Sequence, residues 1–194
     1  MRDRVRIVSE EVLSRNWGIL KRTSFDFQRR NGEWQRQVRE TYDRGPAAAV
    51  LLHCPATDKV ILVRQFRFPV YVTGRDGLML EVCAGLLDGD DPETCVRREA
   101  EEEAGYRIGE LRHAFKVDMS PGSVIETIDC FVGNYDAASR VSGGGGLHAE
   151  GEDIEVVELD FAEALGMIGN EIMDAKTILL LQHLALQQAR GGKR

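Results

Sequence analysis

Apolar and polar positions alternate through the first third of the chain. After Met1-Arg2-Asp3-Arg4 the sequence enters an alternating segment directly. Between Ile19 and Phe27, the positions Ile19, Lys21, Thr23, Phe25 and Phe27 interleave with Leu20, Arg22, Ser24, Asp26 and Gln28. One mostly apolar and one mostly polar face describe a half-buried strand. Asn31-Gly32 is a strong hairpin turn, so a second strand is expected over Trp34 to Tyr42. Ala47 to Cys54 is apolar and strand-like, Pro55-Ala56-Thr57-Asp58 turns it, and Lys59 to Phe68 returns. These segments predict a run of antiparallel hairpins.

The pattern then changes. Met79 to Gly85 reads as a short strand ending at a glycine. Asp91 before Pro92 is a helix-start signal, an N-cap followed by proline at the first helical position. The helix is expected to run from Pro92 to about Ala104, with Gly105 as its stop. Val124 to Tyr135 is expected as one further strand, Ala137 to Asp153 as a long loop holding Gly143-Gly144-Gly145-Gly146, and Ile154 to Leu159 as a strand. Asp160 is placed to cap a helix over Phe161 to Ile168, and Asp174 a final helix reaching about Ala189, before a frayed tail from Gly191. Strand runs interrupted by one helix and closed by helices imply an α+β domain, with helices packed on a mixed sheet. The division expected is a small antiparallel β-sheet annex over residues 1–43 and a main domain over 44–194.

Composition narrows the class. The 194 residues are 43% hydrophobic and 29% charged, ordinary for a soluble globular protein. The net charge of −7 argues against broad binding to nucleic acid or an anionic membrane. It leaves room for a small phosphorylated ligand, because a bound divalent cation reverses the local sign. Cys54, Cys83, Cys95 and Cys130 form no CxxC pair, and no histidine stands at zinc-finger spacing, so buried thiols in a reducing cytoplasm are expected. No apolar run is long enough for a membrane span, and the first residues lack the apolar core of a signal peptide.

The chemistry concentrates in Arg98-Glu99-Ala100-Glu101-Glu102-Glu103-Ala104-Gly105-Tyr106. Carboxylates three and four residues apart share a helix face, where like charges repel. Oxygen ligands so gathered suit Mg²⁺ or Mn²⁺, metals that serve phosphate chemistry. The competing reading is a solvated acidic face, and Glu101 is assigned to it. The EF-hand spacing of a structural calcium protein is missing.

The stretch from Gly85 to Tyr106 resembles the Nudix box, G-x5-E-x7-R-E-U-x-E-E-x-G-U, through Arg98, Glu99, Ala100, Glu102, Glu103, Gly105 and Tyr106. Between Gly85 and Arg98 it is one residue shorter than the general box, and Asp91 stands near the place of the first glutamate. Leu86-Leu87-Asp88, Asp90, Pro92-Glu93 and Cys95 are similar to the GDP-mannose pyrophosphatase branch. So are Tyr42-Asp43-Arg44-Gly45, Arg64-Gln65-Phe66-Arg67, Met119-Ser120-Pro121-Gly122, Glu152-Asp153-Ile154-Glu155-Val156 and Lys176-Thr177.

The resemblance implies a Nudix-type mixed sheet sandwiched by helices. It implies Mg²⁺, with Mn²⁺ as a substitute, held by Glu99, Glu103 and the carbonyl of Ala84. Glu102 would support a second metal or orient water, and Arg98 would hold a glutamate ionised. Glu152 is expected as general base or further metal ligand, with Glu126 in reserve. Arg67 is expected on the diphosphate, and Gly85, Leu86 and Lys176 beside the substrate. Trp17, Arg39 and Glu40 would serve the base or sugar, Trp17 across a homodimer. The implied reaction is hydrolysis of GDP-mannose to GMP and mannose 1-phosphate, in the cytoplasm. ADP-ribose, cut to AMP and ribose 5-phosphate, is the near alternative. A silent nucleotide-sugar sensor would have lost some of these glutamates, and all are present.

Overall fold

All eight residues of Ala47–Cys54 are buried, so this strand must be covered on both faces. The computed structural model describes residues 2–191; the expected tail beyond them lies outside. In chain order the strands are β1 (Val5–Arg15), β2 (Ile19–Gln28), β3 (Trp34–Asp43), β4 (Ala47–Cys54), β5 (Lys59–Phe66), β6 (Leu78–Glu81), β7 (Cys83–Leu86), β8 (Leu111–Asp118), β9 (Val124–Ile125), β10 (Thr127–Asn134) and β11 (Glu155–Asp160). The helices are α1 (Phe68–Tyr71), α2 (Pro92–Glu99), α3 (Phe161–Gly166) and α4 (Ala175–Gly191).

Two compact units form. One is the chain up to Pro46 together with Asp118–Thr127, and the other is Ala47–Val117 with the chain from Ile128 onward. The first holds a sheet of order β1-β2-β3-β9. Its β2–β3 hairpin turns at Asn31-Gly32, where the Arg29 N–H donates to the Glu33 carbonyl at 2.7 Å. Strand β1 is an edge, mostly exposed, and its pairing with β2 slips between Ile7 and Ser9 and again between Val12 and Ser14. Such irregularities keep an open edge from templating further strands.

The expected single strand from Val124 to Tyr135 is in fact two. Residues Val124 and Ile125 pair in parallel with Tyr42 and Asp43 of the small sheet. After Glu126 the chain leaves that sheet, and β10 runs parallel to β4 in the large one. Strand β8, with no strict alternation in Leu-Arg-His-Ala-Phe-Lys-Val-Asp, was not expected from the pattern; it is an edge of the large sheet.

The second unit is a mixed seven-stranded sheet, β11-β5-β4-β10-β8, with β6 on β5 and β7 on β4. Successive residues of a strand face opposite ways. Ala48, Val50, Leu52 and Cys54 join the buried cluster with Cys95, Val96, Ala100 and Ala104 of the acidic helix. Ala47, Ala49, Leu51 and His53 therefore face the other way. There α4, which packs on β4 through buried Leu180, Leu181 and Leu184, covers them. The four cysteines are buried and free.

One division of β4 positions the site. Its first half pairs with β7 and its second with β5. The chain from β6 to β7 therefore crosses from the β5 edge to the β4 edge at Val82, and lays Ala84-Gly85 against the acidic helix.

Candidate active site

Asp91 caps α2 as expected: its carboxylate accepts from the backbone N–H of Glu93 (3.0 Å) and Thr94 (3.1 Å) and from the Thr94 hydroxyl (2.6 Å). The expected regular helix, however, changes pitch at its acidic end. Ala100–Ala104 is a π-helical turn, stopped by Gly105 in the left-handed region, whose N–H donates to the Ala100 carbonyl. Such turns recur at functional sites, because the wider turn redirects side chains. Asp160 precedes α3 without a side-chain cap bond, and Asp174 does cap α4, accepting from the Thr177 N–H at 3.0 Å.

The carboxylates have separate surroundings. Glu103 is almost fully buried; its Oε2 accepts from the Ala84 N–H at 3.1 Å and its Oε1 faces Gln65 Nε2 at 3.5 Å. Glu99, also buried, lies against Gly85 and is 2.9 Å from Arg98 Nη1. The same Arg98 nitrogen donates to Glu102 Oε2 at 3.1 Å. Glu101 pairs outward with Arg107 at 3.4 Å. Burial, reinforced by the Glu99 charge, pushes the Glu103 carboxyl up to about 8; burial pushes Glu99 up to about 6, against the pull of Arg98. Glu152 adds its charge to both.

The glycine-rich loop is what brings Glu152 there. Its backbone closes the end of the acidic helix: Gly145 N–H donates to the Glu103 carbonyl and Gly146 N–H to the Glu102 carbonyl, both at 3.0 Å. Helix ends leave such carbonyls without intrahelical partners. Gly144, with φ +69°, passes so near that a Cβ there would stand 2.4 Å from the Glu103 carbonyl oxygen. Glu152 then folds back, its Oε2 accepting from the Leu147 N–H at 2.8 Å.

Among the described residues no three histidines, cysteines or acidic residues are preassembled as a metal cluster; Glu99 and Glu102 face Arg98, Glu103 the Ala84 N–H and Glu152 the Leu147 N–H. The donor set nevertheless fits a hard cation. It is all oxygen, two of its carboxylates are buried side by side at the cost of mutual repulsion, and a divalent ion relieves that repulsion.

A NUDIX domain model matches residues 43–167, well over half the chain, and a second model, the GDP-mannose pyrophosphatase NudK N-terminal domain, matches residues 4–42. The chain belongs to the Nudix family. It is 47% identical over 185 residues to a GDP-mannose pyrophosphatase of Cronobacter sakazakii, covering 94% of this chain and 96% of that one. It is 49% identical over 183 residues to one of Pectobacterium atrosepticum, covering 93% and 94%. A crystal structure of an ADP compounds hydrolase superposes over 98% of this chain and 97% of that one, with a TM-score of 0.75 at 20% identity, a likeness of fold.

Within the second unit Ala84 meets Glu103, Gly85 meets Glu99, and Arg98 joins Glu99 to Glu102, while Glu152 acts on the two buried carboxylates through its charge. Gly85 has a plain physical reason: a Cβ there would meet Glu99 Oε1 at 1.9 Å. The group that must yield is a side-chain carboxylate, so Gly85→Ala is expected to fold normally and displace Glu99. Activity should fall about 10- to 100-fold, the usual effect of disturbing the surroundings of a metal ligand. A steady-state assay beside a melting curve checks this. Leu86 is half-buried, its carbonyl 3.4 Å from Cys95 Sγ.

Arg67 and Lys176 lie elsewhere in the same unit, and both turn to a residue the sequence reading passed over. Glu81 is 3% exposed and takes a two-pronged contact from Arg67, Nε to Oε1 at 2.8 Å and Nη2 to Oε2 at 3.1 Å. Lys176, expected beside the substrate, is buried, with Nζ 2.5 Å from Glu81 Oε2 and 2.9 Å from Asp174 Oδ1. Burial alone would raise the Glu81 carboxyl, but Lys176 and Arg67 pull it down to about 2. The one signal for Glu81 was a charge inside the apolar run Met79-Leu80-Glu81-Val82.

Trp17, Arg39, Glu40 and Glu126 belong to the first unit. Trp17 is 84% exposed and so is no core residue; the Arg44 guanidinium lies 5.8 Å from its ring centre and donates to its carbonyl at 3.1 Å. Glu40 faces Arg22 at 3.3 Å, Arg39 donates to the Val38 carbonyl at 2.8 Å, and Glu126 is half-buried.

Proposed function

We propose that this Nudix chain hydrolyses the diphosphate of a nucleotide sugar, GDP-mannose by preference, releasing GMP and mannose 1-phosphate. The observation that supports the reading is the pair of buried carboxylates, Glu103 on the Ala84 N–H and Glu99 against Gly85, with the Glu152 charge bearing on both. The substrate choice is supported by the relatives named GDP-mannose pyrophosphatase, which match nearly end to end.

In this reading Glu99, Glu103 and the Ala84 carbonyl would hold Mg²⁺, or Mn²⁺ in its place, with Glu152 or Glu102 as a further ligand. When bound, the cation neutralises the diphosphate and lowers the pKa of an attacking water. Arg98, in contact with both, fixes Glu99 and Glu102 in orientation. Glu152 would take a proton from the attacking water as the water oxygen bonds to phosphorus and the bridging P–O bond of the diphosphate breaks, the departing phosphate keeping the electron pair, with Glu126 the second candidate for this role. Arg67 faces the diphosphate, for which its guanidinium fork is suited. Gly85, Leu86 and Lys176 shape the same end, while Trp17, Arg39 and Glu40 take the base and sugar, an exposed indole being a good stacking surface.

The same reading makes the protein a cytoplasmic homodimer with residues 1–43 as the dimerisation annex. Four free buried thiols suit a reducing compartment. Exposed Ile7, Val8 and Val12 on the β1 edge suit a second copy. Among the described residues no helix is long and apolar enough to cross a membrane.

The test is a panel of nucleotide sugars and ADP-ribose with Mg²⁺ in ¹⁸O-labelled water, with products resolved. GDP-mannose is expected to show the highest kcat/KM, with label in one phosphate product identifying the attacked phosphorus. Faster turnover of ADP-ribose would move the assignment to the ADP-ribose reaction. A panel with no diphosphate cleaved would overturn the enzymatic reading.

A further inference from the structure

Four charged side chains meet at the end of β6: Arg67, Glu81, Lys176 and Asp174. Two are cations and two are anions. They come from three separate stretches, just past β5, the last residue of β6, and the start of α4. The cluster is tied into the backbone, because the Val82 N–H donates to Thr177 Oγ1 at 2.9 Å and the Thr177 hydroxyl donates to Asp174 Oδ2 at 2.6 Å.

Stability alone is a poor reason for such a cluster. Burying charges costs desolvation, and apolar residues of similar volume often serve as well or better. What the cluster achieves is orientation. Glu81 is fixed from two sides, by Lys176 and by its own strand, where it pairs with Val63. It engages Arg67 through Nε and Nη2. A guanidinium carries five N–H donors, so three remain. Arg67 is not itself buried, with 40% of its side chain exposed. It stands two residues beyond Gln65, whose amide faces Glu103, and residues two apart in extended chain point the same way. Arg67 thus lies beside the acidic face with its free donors held in one orientation.

We propose that Glu81 is a positioning residue, which holds the Arg67 guanidinium in the pose that receives the substrate diphosphate, with Lys176 and Asp174 holding Glu81. This rests on the proposed function for the identity of the substrate. It adds a residue that touches no substrate itself and a reason for burying Lys176. A fork held in place loses less conformational entropy on binding than a free arginine does.

The test uses the full chain with Mg²⁺ and four proteins: wild type, Glu81→Gln, Arg67→Ala and the double variant. The readouts are KM and kcat for GDP-mannose, the calorimetric Kd for inorganic pyrophosphate, and the rise in Tm on adding Mg²⁺. Glu81→Gln is expected to raise KM and the pyrophosphate Kd by about tenfold or more, as loss of an orienting partner does elsewhere. The Mg²⁺-dependent rise in Tm should stay as in wild type. The double variant should be no weaker than Arg67→Ala alone, because Glu81 acts through Arg67. Pyrophosphate affinity within twofold of wild type in Glu81→Gln, or losses that simply add, would overturn the proposal. If Glu81→Gln does not fold, Glu81→Gln with Lys176→Met removes the stranded cation and carries the same comparison. Should wild type cleave no nucleotide sugar while the pyrophosphate cycle still shows coupling, the substrate reading fails and the role of Glu81 stands.

Discussion

Glu103→Gln should lower kcat by about 10³-fold while the protein stays folded. A metal ion's charge stabilisation is worth several kcal/mol, and each ~1.4 kcal/mol is tenfold in rate. Glutamine keeps the length of the side chain and an oxygen that can accept from the Ala84 N–H, so the local fold persists. What is lost is the charge. The second readout is thermal. Wild type should gain Tm on adding Mg²⁺, and the variant should not. A pH argument gives the sign for the metal-free protein. The folded state holds the Glu103 proton up to about 8, whereas an unfolded glutamate releases it near 4.5. The folded state therefore binds more protons across that window, and stability falls as pH rises through it. At pH 8 the metal-free variant should melt no lower than wild type. A kcat within tenfold of wild type would remove Glu103 from the metal site.

Glu152→Gln should cost about 10²- to 10⁴-fold in kcat, the range of a general base. The amide oxygen can still accept from the Leu147 N–H, so the loop keeps its anchor. A base and a metal ligand give different patterns. Loss of a base removes the acidic limb of the kcat–pH profile and leaves the Mg²⁺ requirement nearly unchanged, whereas loss of a ligand shifts the Mg²⁺ concentration needed for half-maximal rate. Turnover near wild type would end both roles and pass the base to Glu126, for which the same substitution is the next measurement. Here Glu152 turns inward on its own loop, so reaching a water requires that the Leu147 contact open, a local rearrangement of the kind that gates many sites.

Much of this was legible in the chain because the signals are local. Asp91-Pro92 and Gly105 bracket the acidic helix within fifteen residues, and Asn31-Gly32 turns its hairpin through adjacent residues. The features that were not legible depend on distant partners. Glu81 meets Arg67 across 14 residues of chain and Lys176 across 95, and a lone glutamate in an apolar strand carries no mark of either. The π-helical turn has the same residues as a regular helix, so only the backbone bonds reveal it. The run from Val124 to Tyr135 has one continuous strand character, and its division at Glu126 follows from which strand each half finds as a neighbour.

That division has a consequence for cutting and grafting the chain. The matched N-terminal segment ends at residue 42, and a gene fusion would naturally be joined there. The small sheet, however, takes its fourth strand from Val124 and Ile125, well inside the stretch matched as NUDIX. Exchanging residues 4–42 between relatives would pair a foreign β3 with a native β9 through Tyr42, and deleting them would leave the Ser123 carbonyl without the Tyr42 N–H, 2.9 Å away in the intact chain. The unit of inheritance along the sequence and the unit of folding differ by one short excursion, so a working chimera needs residues 118–127 to travel with the front of the chain.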